Sequence, residues 1–114
     1  MQLLVLVLNK EKYMEKALTI FVEAGIPGAT IIDTEGMGRA VSYDIPVFAA
    51  LKNILRGTHQ YNKTIFSVIE DEEVLDKTID MIRKSIDFEK EGTGILFTVP
   101  VSKIYGLARE ELKW

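Results

Sequence analysis

The chain has no cysteine and a single histidine, His59. The first absence excludes a disulfide scaffold, a thiolate metal site and a cysteine nucleophile. With one histidine besides, a metal site would have to draw carboxylates from several chains, so His59 reads as a solvated loop residue. No repeat, low-complexity tract or nucleophile–base signature occurs, and the expectation is that the protein is not an enzyme. The apolar run Leu3–Leu8 is too short to span a bilayer. No basic residue precedes it and no small-residue cleavage site follows, so it reads as a strand and not as a signal peptide or membrane span. Nor is positive charge in excess, with 14 Lys and Arg against 17 Asp and Glu. The net charge of −3 gives no reason to expect a nucleic-acid partner, which demands a basic footprint.

What is present is ordinary globular composition, 47% apolar and 27% charged over 114 residues, enough for one domain spanning 1–114. The charge is unevenly placed. Within Gly36–Lys63 four cations, Arg39, Lys52, Arg56 and Lys63, face Asp44 alone, so that stretch carries +3 and the remainder −6.

The order of elements follows from periodicity. Leu3–Leu8 is a strand. Asn9 is placed to cap a helix over 10–24, with Met14, Ala17, Leu18 and Phe21 at helical spacing and Gly25 just past its end. The Pro27-Gly28 turn leads into a second strand, Ala29–Glu35. Lys63–Glu70 is a third strand and Asp71–Ile86 the clearest helix. Asp71 can cap it, and the acidic run Glu70–Glu73 compensates the macrodipole at its start, as Arg83 and Lys84 do at its end. Leu75, Ile79, Ile82 and Ile86 form its stripe. Gly94–Val101 is the fourth strand, followed by a tail over 102–114. The fold class is α+β: a ferredoxin-like βαββαβ antiparallel sheet with both helices on one face and a long insertion, 36–63, between strands 2 and 3.

An antiparallel sheet with water on one face should alternate apolar with polar, yet Leu3–Leu8 does not alternate. Ile65, Phe66, Val68 and Ile69, and Ile95, Leu96, Phe97 and Val99, likewise place apolar residues on both sides. With two helices available, the second face predicts an obligate homo-oligomer packed sheet to sheet.

Three local motifs in this order resemble the PII signal-transduction family. Gly28-Ala29-Thr30 looks like its Gly-x-Thr at the second strand. Gly36-Met37-Gly38-Arg39 is similar to its Gly-Phe-Gly-Arg at the base of the long T-loop, and "GTGILF" at Gly92–Phe97 resembles its Gly-Asp-Gly-Lys-Ile-Phe. The resemblance implies a cytoplasmic homotrimer with clefts between subunits that bind an adenine nucleotide or another small anion. Residues 40–61 would engage a target enzyme or membrane transporter. It also implies a ligand site at Thr30, Gly36, Gly38, Arg39, Lys63, Lys90, Gly92, Thr93 and Gly94. Glycines let backbone N–H groups approach an anion closely.

The chain departs from the pattern at named positions. Ala40 stands where the family has a glutamine that helps to hold metal and 2-oxoglutarate. Ile95 stands where it has a phosphate-binding lysine, and the paired arginines of its tail are missing from "SKIYGLAREELKW". Lys90, Lys103 and Arg109 are the cations available to replace them. Tyr43 does not lie in the surroundings of the family's modified tyrosine. The insertion also carries its own pattern: Asp44 can cap a helix from Ile45-Pro46 to Gly57, with Val47, Phe48, Leu51, Ile54 and Leu55 on one side. Two alternatives stand beside the regulator: a trimeric interaction module that binds no ligand, and a metal-handling protein of the related copper-tolerance type.

Overall fold

The computed structural model describes residues 1–37 and 61–106. Four strands, β1 (Gln2–Leu8), β2 (Thr30–Asp33), β3 (Lys63–Ile69) and β4 (Gly94–Pro100), make one sheet in the order β2-β3-β1-β4, every neighbouring pair antiparallel. Helices α1 (Met14–Ala24) and α2 (Glu72–Ser85) connect them and cover one face. This is the α+β ferredoxin-like arrangement expected from the order of elements.

The pleat divides the strand residues into two sets. Leu4, Leu6 and Leu8 are fully buried, and with Ile65 and Ile69 they meet Ala17, Ile20 and Phe21 of α1 and Leu75 and Ile82 of α2. Each such side chain removed from water contributes about 1.5–3 kcal/mol. Helix α1 ends because Gly25 takes the left-handed conformation, φ 85°, and the N–H of buried Ile26 returns to the carbonyl of Phe21 at 3.0 Å. That pairing satisfies a carbonyl that the last turn leaves orphaned. Helix α2 begins as its sequence demands: one Asp71 carboxylate oxygen accepts from the amides of Glu73 at 2.8 Å and Val74 at 3.4 Å. Its buried line is Leu75, Thr78 and Ile82, continued by Ile86, with Ile79 only half-buried. Thr78 is tolerated inside because its hydroxyl donates to the carbonyl of Val74 at 2.7 Å.

Two local expectations need correction. Asn9 does not cap the first helix: Lys10 is extended, a 3₁₀ turn spans Glu11–Tyr13, and α1 starts only at Met14, without a side-chain cap. The Asn9 side chain is instead taken by Asn62 across the sheet. Strand β2 is four residues long, shorter than Ala29–Glu35, since its partner β3 begins at Lys63 opposite Asp33 and the ladder stops there. The helix expected over 45–57 lies outside the described residues. Among the described residues no helix is long and apolar enough to cross a membrane.

The second face of the sheet carries Leu3, Val5 and Val7 in its middle row, flanked in register by Phe66 and Val68 on one side and Ile95, Phe97 and Val99 on the other. No element of the described chain covers it. Val5 is buried between Phe66 and Phe97, while Ile95, Phe97 and Val99 stay 42–54% exposed. This apolar surface explains why β1 does not alternate.

Candidate functional site

All four strands bring one end to the same rim of the sheet: β1 finishes at Leu8, β2 at Asp33, and β3 and β4 start there, at Lys63 and Gly94. At this rim, among and just beyond the last paired residues, lies a chain of uncharged polar groups. Thr34 donates its amide to the carbonyl of Asn62 at 3.1 Å and its hydroxyl to Asn62 Oδ1. The hydroxyls of Thr34 and Thr64 are 2.9 Å apart, Asn62 Nδ2 donates to Asn9 Oδ1 at 2.5 Å, and the Asn9 amide donates to the carbonyl of Thr93 at 3.0 Å. The belt runs from the stem of the insertion to the turn before β4.

That turn holds four of the residues expected to bind a ligand. Gly92 has φ 78° and open space where a Cβ would stand. Gly94, φ 143°, is different: a Cβ there would lie 2.0 Å from the carbonyl oxygen of Val7. Its glycine is required by close approach to β1, whatever else it meets. Thr93 between them is 1% exposed. Its amide donates to the carbonyl of Lys90 at 3.3 Å, and its buried hydroxyl has no hydrogen-bond partner among the described residues. Lys90 is exposed on the same turn.

Lys63 opens β3 opposite Asp33, and the two side chains form an ion pair. The hydrogen bond from its ammonium to Asp33 holds the Lys63 pKa above its ordinary value. The ammonium also lies 5.8 Å from the centre of the Tyr61 ring. The Tyr61 phenol is pushed up in turn, chiefly by burial and against the opposing effect of Lys63. Lys63 is therefore a cation with its counter-charge already in place.

Thr30 lies apart from this rim. It faces Phe66 at the other end of β2, on the uncovered side, and borders a cavity of about 350 Å³ shared with Leu3, Gly28, Val68 and Ile104. A second cavity, about 260 Å³, opens between the end of α2 and the start of β4 and is lined by Arg83, Phe88, Gly94, Ile95 and Leu96.

The glycine turns, the strand order and the long segment between β2 and β3 form one pattern, and a family model confirms it: that of the nitrogen regulatory protein P-II, which matches residues 1–111. The chain belongs to the P-II family. It is thereby a nitrogen-regulatory signal-transduction protein, and proteins of this family are trimeric regulators of target proteins, not enzymes. No curated protein matches the chain.

Against the P-II pattern, the expected site residues fall into separate groups. Gly36 follows β2, at one edge of the sheet, and Gly92 and Thr93 precede β4, which Gly94 opens, at the other edge. Three strand spacings, about 14 Å, separate those edges. Gly38 and Arg39 lie outside the described residues, as do Ala40, Tyr43, His59 and Arg109. The residues missed by sequence reasoning are Asn9, Thr34, Asn62 and Thr64. Polar residues at strand ends were visible, but only the pairing register aligns them.

Proposed function

We propose that the protein is a homotrimeric, cytoplasmic P-II regulator. A small anionic effector, an adenine nucleotide or another small anion, binds in clefts between subunits and biases the segment 36–63 toward a target enzyme or membrane transporter. The observation that carries this reading is the uncovered apolar face of the sheet with the two glycine stems at its opposite edges. A second copy seated on that face would bury Ile95, Phe97 and Val99, and would bring the β4 turn of one subunit toward the cavity beside Thr30 of its neighbour. Thr30, Gly28 and Phe66 would offer the apolar, hydroxyl-lined side of such a cleft. Gly92, Lys90 and the Gly36–Arg39 stem would offer amides and charge. Lys63, paired with Asp33, contributes less than its charge suggests.

The absence of the family lysine at Ile95 and glutamine at Ala40 sets the ligand class. Each missing charge-assisted contact is worth about 1.5–3 kcal/mol, or roughly ten- to a hundredfold in affinity. ATP is expected to bind feebly and 2-oxoglutarate not at all, with a less charged nucleotide or a small anion preferred. Calorimetry with ATP, ADP, AMP, cyclic mononucleotides and bicarbonate, each with and without 2-oxoglutarate and magnesium, tests this. Tight ATP binding enhanced by 2-oxoglutarate overturns the ligand class, and no binding by any of them favours the interaction module.

That second reading has an observation of its own: Gly94 is explained by its contact with Val7 and needs no ligand. Hydrogen exchange over residues 40–61 separates the two. Protection that changes with effector belongs to the regulator, and unchanged protection to the module. For the metal-handling alternative, no group of His, Asp and Glu side chains able to hold an ion occurs among the described residues.

A further inference from the structure

We propose that the Asn9–Asn62 pair couples the stem of the insertion to the turn at Gly92–Gly94, so that a change in the turn reaches Thr34 through two amide side chains. Paired strands end at Leu8 and Lys63, and the next residue on each, Asn9 and Asn62, continues the contact with side chains in place of ladder bonds. On one side of this pair Asn62 holds Thr34 twice, by its backbone carbonyl and by Oδ1. On the other, the amide of Asn9 holds the carbonyl of Thr93, the residue between the two glycines.

The donors and acceptors form one continuous chain. A threonine hydroxyl has one proton, and that of Thr34 goes to Asn62 Oδ1, so at the 2.9 Å contact Thr64 donates to Thr34. With Oδ1 committed as acceptor, Asn62 has only Nδ2 to offer Asn9, whose Oδ1 accepts it. Rotating one amide alone places like groups against each other, so the two amides keep their bonds only by turning together. The turn has little freedom to move alone. Gly94 is fitted against the Val7 carbonyl and Thr93 is buried, so displacement of the turn pulls on the Asn9 amide. Asn9 and Asn62 are positioning residues on this account. Its functional meaning rests on the reading that the turn faces an effector, but the coupling is testable without one.

The test is a double-mutant cycle read by amide hydrogen exchange, residue by residue, on the ligand-free full chain. Gly92→Ala perturbs the turn through its positive φ and meets no atom within 4 Å. With Asn9 intact it is expected to speed exchange of the Thr34 amide by about fivefold, the scale of coupling between contacting residues. The same substitution is expected to leave Thr34 unchanged in an Asn9→Leu background. Asn9→Asp, whose carboxylate still accepts from Asn62 Nδ2, keeps the response. The Ile86 amide, bonded to the carbonyl of Ile82 at 2.8 Å, reports global opening. No response at Thr34 in the parent, an equal response in the Asn9→Leu background, or equal acceleration at Thr34 and Ile86 each overturns the coupling. Should Asn9→Leu not fold, Asn9→Ser, too short to reach Asn62, takes its place with the same deciding outcomes. Because no effector is present, failure here leaves the ligand question to calorimetry.

Discussion

The two faces of one strand behave as two different environments. On β1, Leu4, Leu6 and Leu8 are sealed under two helices of the same chain, while on the other face, which no described element covers, Val5 is buried only among its strand neighbours and Leu3 and Val7 are half-buried. The residues are chemically alike, so hydrophobicity does not tell which face the helices cover. What separates them is register: one set lies opposite Ile65 and Leu96, within reach of the helices, and the other opposite Phe66 and Phe97. A continuous apolar strand is thus two half-strands, one covered by the helices and one that no described element covers.

The largest expected effect breaks the inner half. Leu6→Asp places a charge among Phe21, Ile65 and Ile82. The lost packing of about 2–5 kcal/mol and an unpartnered buried carboxylate together rival a stability of about 5–15 kcal/mol. No cooperative thermal transition should remain in circular dichroism. Val5→Asp, one residue away, sharpens the contrast: helical signal should persist while sedimentation shows dissociation to monomers. A Val5→Asp protein that still sediments as a trimer would mean that the bare face is not the subunit interface.

Next in size is Gly94→Ala, which forces a Cβ into the Val7 carbonyl at positive φ and should cost about 1–3 kcal/mol in urea unfolding. Gly92→Ala has room, and only its left-handed backbone opposes it, so about 1 kcal/mol is expected. Equal losses would erase the distinction drawn between the two glycines. The smallest effect belongs to Lys63→Met. The Lys63–Asp33 pair lies at the surface, and its removal should shift the unfolding midpoint too little to measure. Because the folded-state pKa of Lys63 is raised, what the pair contributes is complete below the ordinary lysine pKa and is lost as pH rises through the elevated one. Any difference between the parent and Lys63→Met should therefore disappear only in strongly alkaline solution.

Much of the fold was legible because its signals are local. The Asp71 cap, the acidic first turn and the spacing of Leu75, Ile82 and Ile86 specify α2 without reference to anything distant. Gly25 stops α1 by the same kind of short-range rule. Asn9 shows where that reasoning fails. An asparagine before an amphipathic run satisfies every local criterion for a cap, yet its side chain has a partner 53 residues away that competes for the same oxygen. The candidate site was legible as motifs but not as geometry. Nothing in "GTG" tells that the second glycine answers to the Val7 carbonyl, or that Lys63 meets Asp33, because both facts belong to strand register.

The belt at the rim of the sheet is built wholly from amides and hydroxyls: Thr34, Thr64, Asn62, Asn9 and the backbone of Thr93. None of these groups gains or loses a proton anywhere near neutrality, and none carries a net charge for dissolved ions to screen. A linkage made from carboxylates and ammonium groups would drift with acidity and salt, conditions that vary independently of nutrient supply. One made of neutral dipoles transmits the same displacement in dilute or concentrated solution, at mildly acid or mildly alkaline pH. A belt so wired is indifferent to the acidity and salt of the medium around it.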